Sequence, residues 1–181
     1  SSLSTKLYET PNLVETIDGA VAPSNWGENY GQRLRGYIIA PESGEYTFWI
    51  SGDDACQLSL SIDSSKFNAQ VIAGFTGWTS ALQWDKYTGQ KSVKITLEAG
   101  KKYFIEALHK NGGGASHLAL AWQTPTGEQE VIPSSAIESF NVDPEDIDDN
   151  GFPELMVGSS TGGLQYYSNI DPANQSHFIR D

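Results

Sequence analysis

The sequence predicts an all-β protein, an antiparallel β-sandwich followed by a short carboxyl-terminal extension. Apolar residues recur mostly with a period of two, which is typical of strands that bury one face. Segments rich in glycine and proline separate these strands at regular intervals. No segment sustains the 3.6-residue period of an amphipathic helix over three turns. This combination favours two packed antiparallel sheets.

At least six segments carry the strand pattern. In the third, Leu58, Leu60 and Ile62 are predicted to share one face, because side chains two residues apart in a strand point the same way. In the fourth, the same alternation places Val93 and Ile95 on one face. The six segments, in chain order, span residues 33–41, 44–51, 56–62, 93–97, 101–109 and 117–122.

Turn signals lie between the predicted strands. The sequences PESGE at 41–45, EAGKK at 98–102 and TPTGE at 124–128 each contain the glycine or proline that tight turns use. A short helical turn is expected near residues 134–137, at the end of the sandwich. We therefore predict that the strands are joined mainly by short loops.

Charge and composition exclude several classes of function. The 181 residues include 11 Lys and Arg against 23 Asp and Glu, a net charge of −12, so the chain lacks the basic surface that grips nucleic acid or an anionic membrane. No stretch approaches the ~20 apolar residues that span a bilayer. Five Trp, eight Tyr and seven Phe supply bulk for a core. The single cysteine, Cys56, lies in a strand-like run and is expected to be a buried structural thiol.

The composition changes after residue 140. The run NVDPEDIDDNG concentrates acidic residues before a new apolar segment, so we predict a domain at 1–140 and a separate extension at 141–181. The 41 residues of the extension are too few for an independent core. We expect the chain to be part of a larger multidomain protein.

Two neighbouring carboxylates mark the first candidate site. Asp53 and Asp54 follow a glycine at the mouth of a predicted strand. Adjacent side chains of an extended strand point to opposite faces, so both could hold one ion only if the peptide bond between them were cis. Calcium suits such a site, because it takes six to eight oxygen ligands in irregular geometry.

A glycine-rich loop is the expected source of further oxygens. Asn111 offers an amide oxygen, and the glycines at 112–114 allow the backbone to turn its carbonyls inward. The segment LHKNGGGASHLALAW therefore predicts the second half of a calcium site.

These segments identify the amino-terminal domain as resembling a known family. The runs NWGENYGQRLRGYIIAPESGEYTFWISGDDACQLSLS, GWTSALQWDKYTGQKS and KKYFIEALHKNGGGASHLALAW follow one another as in PA14 domains, the protective-antigen-like β-sandwiches of bacterial adhesins, glycosidases and yeast flocculins. The resemblance covers roughly residues 5 to 140. It implies the sandwich fold and, for the lectin members, calcium-dependent sugar binding.

The resemblance also implies the ligands. A cis-linked pair, Asp53 and Asp54, would hold calcium together with the side chain of Asn111 and the backbone carbonyls of Gly113 and Ala115. Two neighbouring hydroxyls of a sugar, a vicinal diol, would complete the coordination shell. Ser116 departs from the commonest bacterial pattern, which has an acidic residue there.

Aromatic residues near the site have two interpretations. Trp78, and behind it Trp26, would offer a face on which a sugar ring stacks, and Trp78 joins the diol-binding residues in the predicted sugar site. Alternatively both are loop anchors, which is the commoner role of large aromatics in sandwiches. Trp49 and Trp122 lie within strands and are expected to pack in the interior.

A second calcium loop is predicted in the extension. Asp146, Asp148 and Asn150 alternate as do positions 1, 3 and 5 of calcium loops, with Phe152 and Glu154 as further candidate ligands. The glutamate that an EF-hand has at position 12 is absent, since Val157 stands there. The stretch resembles an FG-GAP or integrin-type propeller repeat, which implies a calcium loop followed by a β-hairpin. The alternatives are an empty loop or a site that neighbouring repeats complete.

Catalytic patterns are weak. His109, His117 and His177 have no metal-ligand spacing and are interpreted as surface or loop-packing groups. We therefore predict no enzyme but a calcium-dependent lectin module of an adhesin, extracellular or on a bacterial cell surface, that binds glycans or polysaccharides, for example in a biofilm. The alternatives are an ancillary carbohydrate-binding module of a secreted glycoside hydrolase and a structural spacer domain.

Overall fold

The computed structural model describes residues 13–140, together with the backbone of 157–158 and 164–165. Contacts between Cα atoms divide the chain into two compact units, Ser1–Phe140 and Asn141–Asp181. The first unit carries the fold and the candidate site.

The first unit is an antiparallel β-sandwich of two sheets, as predicted. One sheet has five strands in the order β4-β3-β6-β1-β9, and the other has four in the order β5-β2-β7-β8. The strands are β1 (Tyr30–Ile39), β2 (Gly44–Asp53), β3 (Ala55–Leu60), β4 (Gln70–Phe75), β5 (Ile95–Leu97), β6 (Lys102–Asn111), β7 (His117–Gln123), β8 (Gln129–Val131) and β9 (Ile137–Ser139).

The core lies between the two sheets. Phe48 and Ile50 of β2 and Trp122 of β7 are buried from one sheet, and Leu58 of β3 and Ile105 of β6 are buried from the other. These residues occupy alternate positions of their strands, so each strand turns its apolar side chains toward the facing sheet. The period-two pattern of the sequence is thus the pattern of the core.

In two strands, the apolar face predicted from the sequence extends beyond the strand that the structure forms. Strand β3 ends at Leu60, and Ile62 beyond it is 77% exposed; Val93 precedes β5 and is 79% exposed. The alternation continues past the residues that have a pairing partner, because pairing of β3 with β6 stops at Leu60 and Ile105. The prediction for Ile62 and Val93 was therefore wrong, since no neighbouring strand covers these positions.

Three short strands were missed by the sequence pattern. They are β4, β8 and β9, and β8 and β9 have only three residues each, too few to show a period. The predicted turn near residues 134–137 is confirmed as a 3₁₀ turn at Ser134–Ala136.

The second unit contains two short paired strands. Val157–Gly158 (β10) pairs antiparallel with Leu164–Gln165 (β11). The predicted calcium loop, Asp146 to Glu154, lies outside the described residues, as does His177. Within the residues that the structure describes, no helix combines the length and the apolar character that crossing a bilayer requires.

Cys56 is a buried thiol, as expected. It lies in β3 with 1% of its surface exposed, and burial raises its pKa far above the ordinary value for cysteine. Because the thiolate is the reactive form, both the access and the ionisation that reagents need are removed.

We expect Cys56 to react with a thiol reagent such as Ellman's reagent at least about a hundredfold more slowly in the folded protein than in concentrated guanidinium, since reaction requires local or global opening. The absorbance released by the reagent measures this rate. A Cys56→Ser variant gives the background. Reaction at the unfolded rate in native buffer would contradict the burial of the thiol.

Candidate functional site

The candidate site lies where the chain crosses twice between the two sheets. It passes from β2 to β3 at Asp53–Asp54 and from β6 to β7 through residues 112–116. The two crossings are neighbours, because β2 pairs with β7 in one sheet and β3 pairs with β6 in the other. The register places Asp53 opposite His117, so segments some sixty residues apart meet at one corner of the sandwich.

The two aspartates occupy the first crossing. The peptide bond between Asp53 and Asp54 is cis, the linkage that the sequence pattern predicted. The amide N–H of Gly112 donates to Asp54 Oδ2 over 2.7 Å, which holds this carboxylate against the second crossing. A Cβ atom at position 112 would lie only 3.0 Å from the same oxygen, so a larger residue there would displace the Asp54 carboxylate by a few tenths of an ångström.

Asn111 presents its amide oxygen to the same corner. The residue is fully buried, and its Nδ2 donates to the carbonyl of Gly27 over 2.7 Å. Among residues 13–140, Asn111 Oδ1 accepts one hydrogen bond, from the N–H of Gly113, and at 3.3 Å this bond is long. A buried amide oxygen with one weak donor is an under-used acceptor, available to a cation.

The donor set at this corner fits a hard cation. Asp53 and Asp54 supply carboxylate oxygens, and Asn111 supplies the amide oxygen. In the described part of the chain, no group of three or more His, Cys, Asp or Glu side chains is placed to hold a metal ion. Oxygen-only donors with an irregular arrangement suit Ca²⁺ better than Zn²⁺ or Mg²⁺. Gly113 and Ala115 lie in the exposed part of the loop that would contribute carbonyls.

The electrostatics of the pair favour the arrival of a cation. Burial raises the pKa of Asp53 above its ordinary value, and the negative charge of Asp54 raises it further, while His117 and Lys86 lower it. A carboxyl whose pKa is raised by folding binds its proton more tightly in the folded state. Its ionised form therefore opposes folding at neutral pH, and this cost is relieved as the pH falls toward the raised pKa. A bound cation would relieve the same repulsion without a proton.

The amino-terminal loop forms a third wall that sequence reasoning did not identify. Gly27 accepts the hydrogen bond from Asn111, and Ser116 N donates to Asn25 Oδ1 over 3.1 Å. Ser116 Oγ in turn accepts from Asn25 N over 2.9 Å and from the hydroxyl of Tyr30 over 2.7 Å. Ser116, which stands where an acidic residue is commoner, is thus a buried anchor between two loops. The asparagines and glycines around Trp26 were the sequence signal from which this loop could have been identified as part of the site.

Trp78 lies beside the aspartates. Its backbone forms an isolated antiparallel bridge with Asp53, and its side chain is 53% exposed. The ammonium of Lys86 lies 3.2 Å from the centre of the ring and donates to the carbonyl of Trp78 over 2.7 Å. One face of the indole is therefore covered by a cation, which leaves the opposite face and the ring edge for contact with a ligand. Trp26 is about half exposed, whereas Trp49 and Trp122 are buried as expected.

The two histidines near the site differ from each other. His117 packs against the Trp78 loop through Ser51 and Thr79, in line with the loop-packing interpretation. His109 is fully buried rather than a surface group, and its Nε2 lies 2.6 Å from the carbonyl oxygen of Asp53. It faces inward because it continues the alternate row of β6 side chains that enters the core. Burial lowers the pKa of both His109 and His117.

A serine, a histidine and an aspartate also meet here, the residue types of a hydrolase triad. Ser51 Oγ lies 3.3 Å from His117 Nε2, and His117 is opposite Asp53 in the register. The serine hydroxyl is fully buried and also contacts the hydroxyl of Thr79 at 3.0 Å. A nucleophile must reach its substrate, so this cluster is a packing network that ties the Trp78 loop to β2.

Comparison with known proteins places this unit in context. The PA14 domain profile matches residues 12–136. A mouse (Mus musculus) N-acetyl-beta-glucosaminyl-glycoprotein 4-beta-N-acetylgalactosaminyltransferase 1 is 31% identical over 137 residues, which are 72% of this chain and 13% of the transferase. The chain therefore spans about an eighth of the length of that relative. The profile ends before residue 141, so the comparisons do not support the predicted FG-GAP-like repeat.

Solved structures share the fold. An anti-sigma factor domain-containing protein from Clostridium clariflavum matches with a TM-score of 0.54 and 24% identity, over 76% of this chain and 45% of that one. The Epithelial Adhesin 6 A domain from Candida glabrata, solved in complex with Galβ1-3GlcNAc, matches with a TM-score of 0.50 and 20% identity, over 65% and 54% of the two chains. With its sandwich, its paired aspartates and the profile match over most of its length, the chain belongs to the PA14 domain family.

Proposed function

We propose that this protein is a calcium-dependent glycan-binding module without catalysis of its own. The observation that carries the proposal is the meeting of two adjacent carboxylates and a buried amide oxygen at one exposed corner of the sandwich. The glycan would be one that offers a vicinal diol. The Candida glabrata adhesin domain, which shares the fold, was solved with a disaccharide bound, and this supports the choice of ligand class.

The residues of the corner have separate roles in the proposal. Asp53, Asp54 and Asn111 would hold the ion, with carbonyls of the exposed loop, those of Gly113 and Ala115, completing the protein ligands. Bound calcium supplies open coordination positions that two neighbouring hydroxyls of a sugar can fill. Trp78 would contact the sugar with the ring face that Lys86 leaves free.

The proposed setting is a surface or secreted protein with several domains. One diol on one ion buries little area, so a single site is expected to bind weakly, and firm attachment would need several copies. The acidic loop at 146–154 is proposed as a second calcium site that does not contact the sugar. An extracellular location, where calcium is plentiful, suits both sites.

A glycan array probed with and without calcium tests the proposal. We expect binding to a subset of glycans with exposed vicinal diols in the presence of Ca²⁺ and no binding in excess EDTA. Addition of Ca²⁺ after chelation should restore the same pattern. Glycan binding that is as strong in EDTA as in Ca²⁺ would contradict the calcium-dependent mechanism. An array without any binding in Ca²⁺ would favour a structural spacer.

Calcium should also stabilise the fold. At a free concentration about 100 times the dissociation constant, binding to the native state alone adds ~2.7 kcal/mol to the free energy of unfolding. For a chain of this size, we expect a melting temperature higher by roughly 5–10 °C than in EDTA. Differential scanning calorimetry measures the shift. Because the 146–154 loop is a second candidate, the measurement is made in a chain carrying Asp146→Ala, which removes the first ligand of that loop, and an unchanged melting temperature there would contradict a site at Asp53–Asp54.

A further inference from the structure

A buried histidine and a half-buried glutamine lie directly behind the two aspartates. His109 Nε2 lies 2.6 Å from the carbonyl oxygen of Asp53, and Gln32 Nε2 lies 2.8 Å from His109 Nδ1. His109 has no exposed surface, and Tyr30 packs against the imidazole edge-to-face with 6.1 Å between ring centres. The three groups form a chain from the neighbouring strand β1 through β6 to the aspartate corner.

The acceptor at one end of this chain determines the tautomer of His109. A carbonyl oxygen cannot donate, so Nε2 of His109 carries the proton and donates it to Asp53. Nδ1 is then the acceptor, and it receives an N–H of the Gln32 amide. Gln32 therefore matches the tautomer that the Asp53 carbonyl requires and holds the ring from its other nitrogen.

The bond to the Asp53 carbonyl acts on both carboxylates at once. The peptide group is planar, so its carbonyl oxygen and the Cα atoms of Asp53 and Asp54 lie in one plane. Fixing the carbonyl fixes this plane and hence the points from which the two side chains leave the backbone. On the other side, Gly112 N–H holds only the Asp54 carboxylate.

We propose that His109, oriented by Gln32, is a positioning residue for the calcium site: it holds the Asp53–Asp54 peptide plane in the orientation in which both carboxylates face one ion. This inference rests on the proposed function. It gives a role to the fully buried His109, whose polar ring would otherwise be an unusual occupant of the core face of β6. Groups that orient metal ligands from behind typically contribute 10- to 100-fold to metal affinity.

Two substitutions of His109 separate its two hydrogen bonds. Gln places an amide nitrogen near the position of Nε2 and can still donate to the Asp53 carbonyl, whereas the shorter Asn reaches only the position of Nδ1. We expect His109→Asn to raise the calcium dissociation constant by about 10- to 100-fold and His109→Gln to raise it by less than about threefold. Isothermal titration calorimetry on the full chain carrying Asp146→Ala measures both, and that substitution removes the first ligand of the second candidate loop.

Loss of a buried hydrogen bond also lowers stability, so a control is needed. Ser92→Ala removes another buried hydrogen bond, that from Phe48 N to Ser92 Oγ at 2.9 Å, far along β2 from the aspartates. We expect Ser92→Ala to lower the melting temperature in EDTA while leaving calcium affinity unchanged. If Ser92→Ala weakens calcium as much as His109→Asn does, affinity follows stability and the positioning role is wrong.

The remaining outcomes also decide the matter. Should the parent chain with Asp146→Ala bind no calcium, the proposed function fails and takes this inference with it. Should that chain bind calcium while His109→Asn binds equally tightly, the inference alone fails. If His109→Asn does not fold, Gln32→Met replaces it, because it keeps the volume but removes the donor to Nδ1. A dissociation constant raised about threefold or more supports the inference, and an unchanged one overturns it.

Discussion

Replacing Asp54 by Asn is expected to abolish calcium-dependent glycan binding and to weaken calcium binding at this corner by about a hundredfold or more. The asparagine keeps an oxygen that can accept the N–H of Gly112, so the 2.7 Å bond between the two crossings survives. What is lost is one of two negative charges, and ligand charge largely sets the affinity of calcium sites. Calorimetric titration with Ca²⁺ and a repeat of the glycan array measure the two losses.

A control for the change in charge lies in β2, at the end of that strand far from Asp53. Glu45 pairs with Lys94 at 2.8 Å, and both side chains are largely exposed. Glu45→Gln removes one negative charge from β2, as Asp54→Asn does from the site, and exposed pairs contribute only ~0–1 kcal/mol. We expect it to leave calcium and glycan binding unchanged. Equal weakening by both variants would mean that overall charge, and not coordination, attracts the ion.

Replacing Trp122 by Ala should be the most damaging single change to the fold. The indole is 1% exposed and packs against Tyr46 at 5.5 Å and Phe48 at 6.4 Å between ring centres. Truncation removes these contacts and leaves a cavity between the sheets, which typically costs ~3–5 kcal/mol. Against a total stability of ~5–15 kcal/mol, this is a large fraction. We expect a melting temperature lower by roughly 10 °C or more, measured by circular dichroism.

An exposed apolar residue provides the matched control for Trp122. Val93 is 79% exposed at the edge of the sandwich, so Val93→Ala should change the free energy of unfolding by no more than about 0.5 kcal/mol. Trp122→Phe should fall between the two, because it keeps an aromatic ring in the same layer. A loss below about 1 kcal/mol for Trp122→Ala would show that the aromatic cluster does not carry the core.

Several features of the fold followed from local pattern. Each long predicted strand is present, because the alternation of apolar and polar side chains is set by backbone geometry within a few residues. The change in composition after residue 140 coincides with the end of the first compact unit. The strands β4, β8 and β9 were missed in this way: β8 and β9 have three residues each, too few to show alternation, and β9 forms by pairing with β1 near the other end of the domain.

The candidate site was predictable only in part. The paired aspartates and Asn111 were recognisable from residue type and spacing, and the structure brings them to one corner. The contributions of Gly27, Ser116 and His109 were not, because their polar groups serve the site only through contacts across the fold. Alternation does place His109 on the face of β6 that enters the core, but its bond to the carbonyl of Asp53 could not be read from that pattern.

The sequence by itself determined which segments become strands, which of their faces are apolar, and which oxygen-bearing side chains could hold a cation. Only the tertiary structure decided that β2 and β3 join different sheets beside the crossing from β6 to β7, and that a buried histidine and an amino-terminal loop support that corner. The physical reason is separation along the chain. Side-chain alternation is encoded between residues two positions apart, whereas the pairing of β2 with β7 and the hydrogen bonds behind the aspartates join residues more than fifty positions apart.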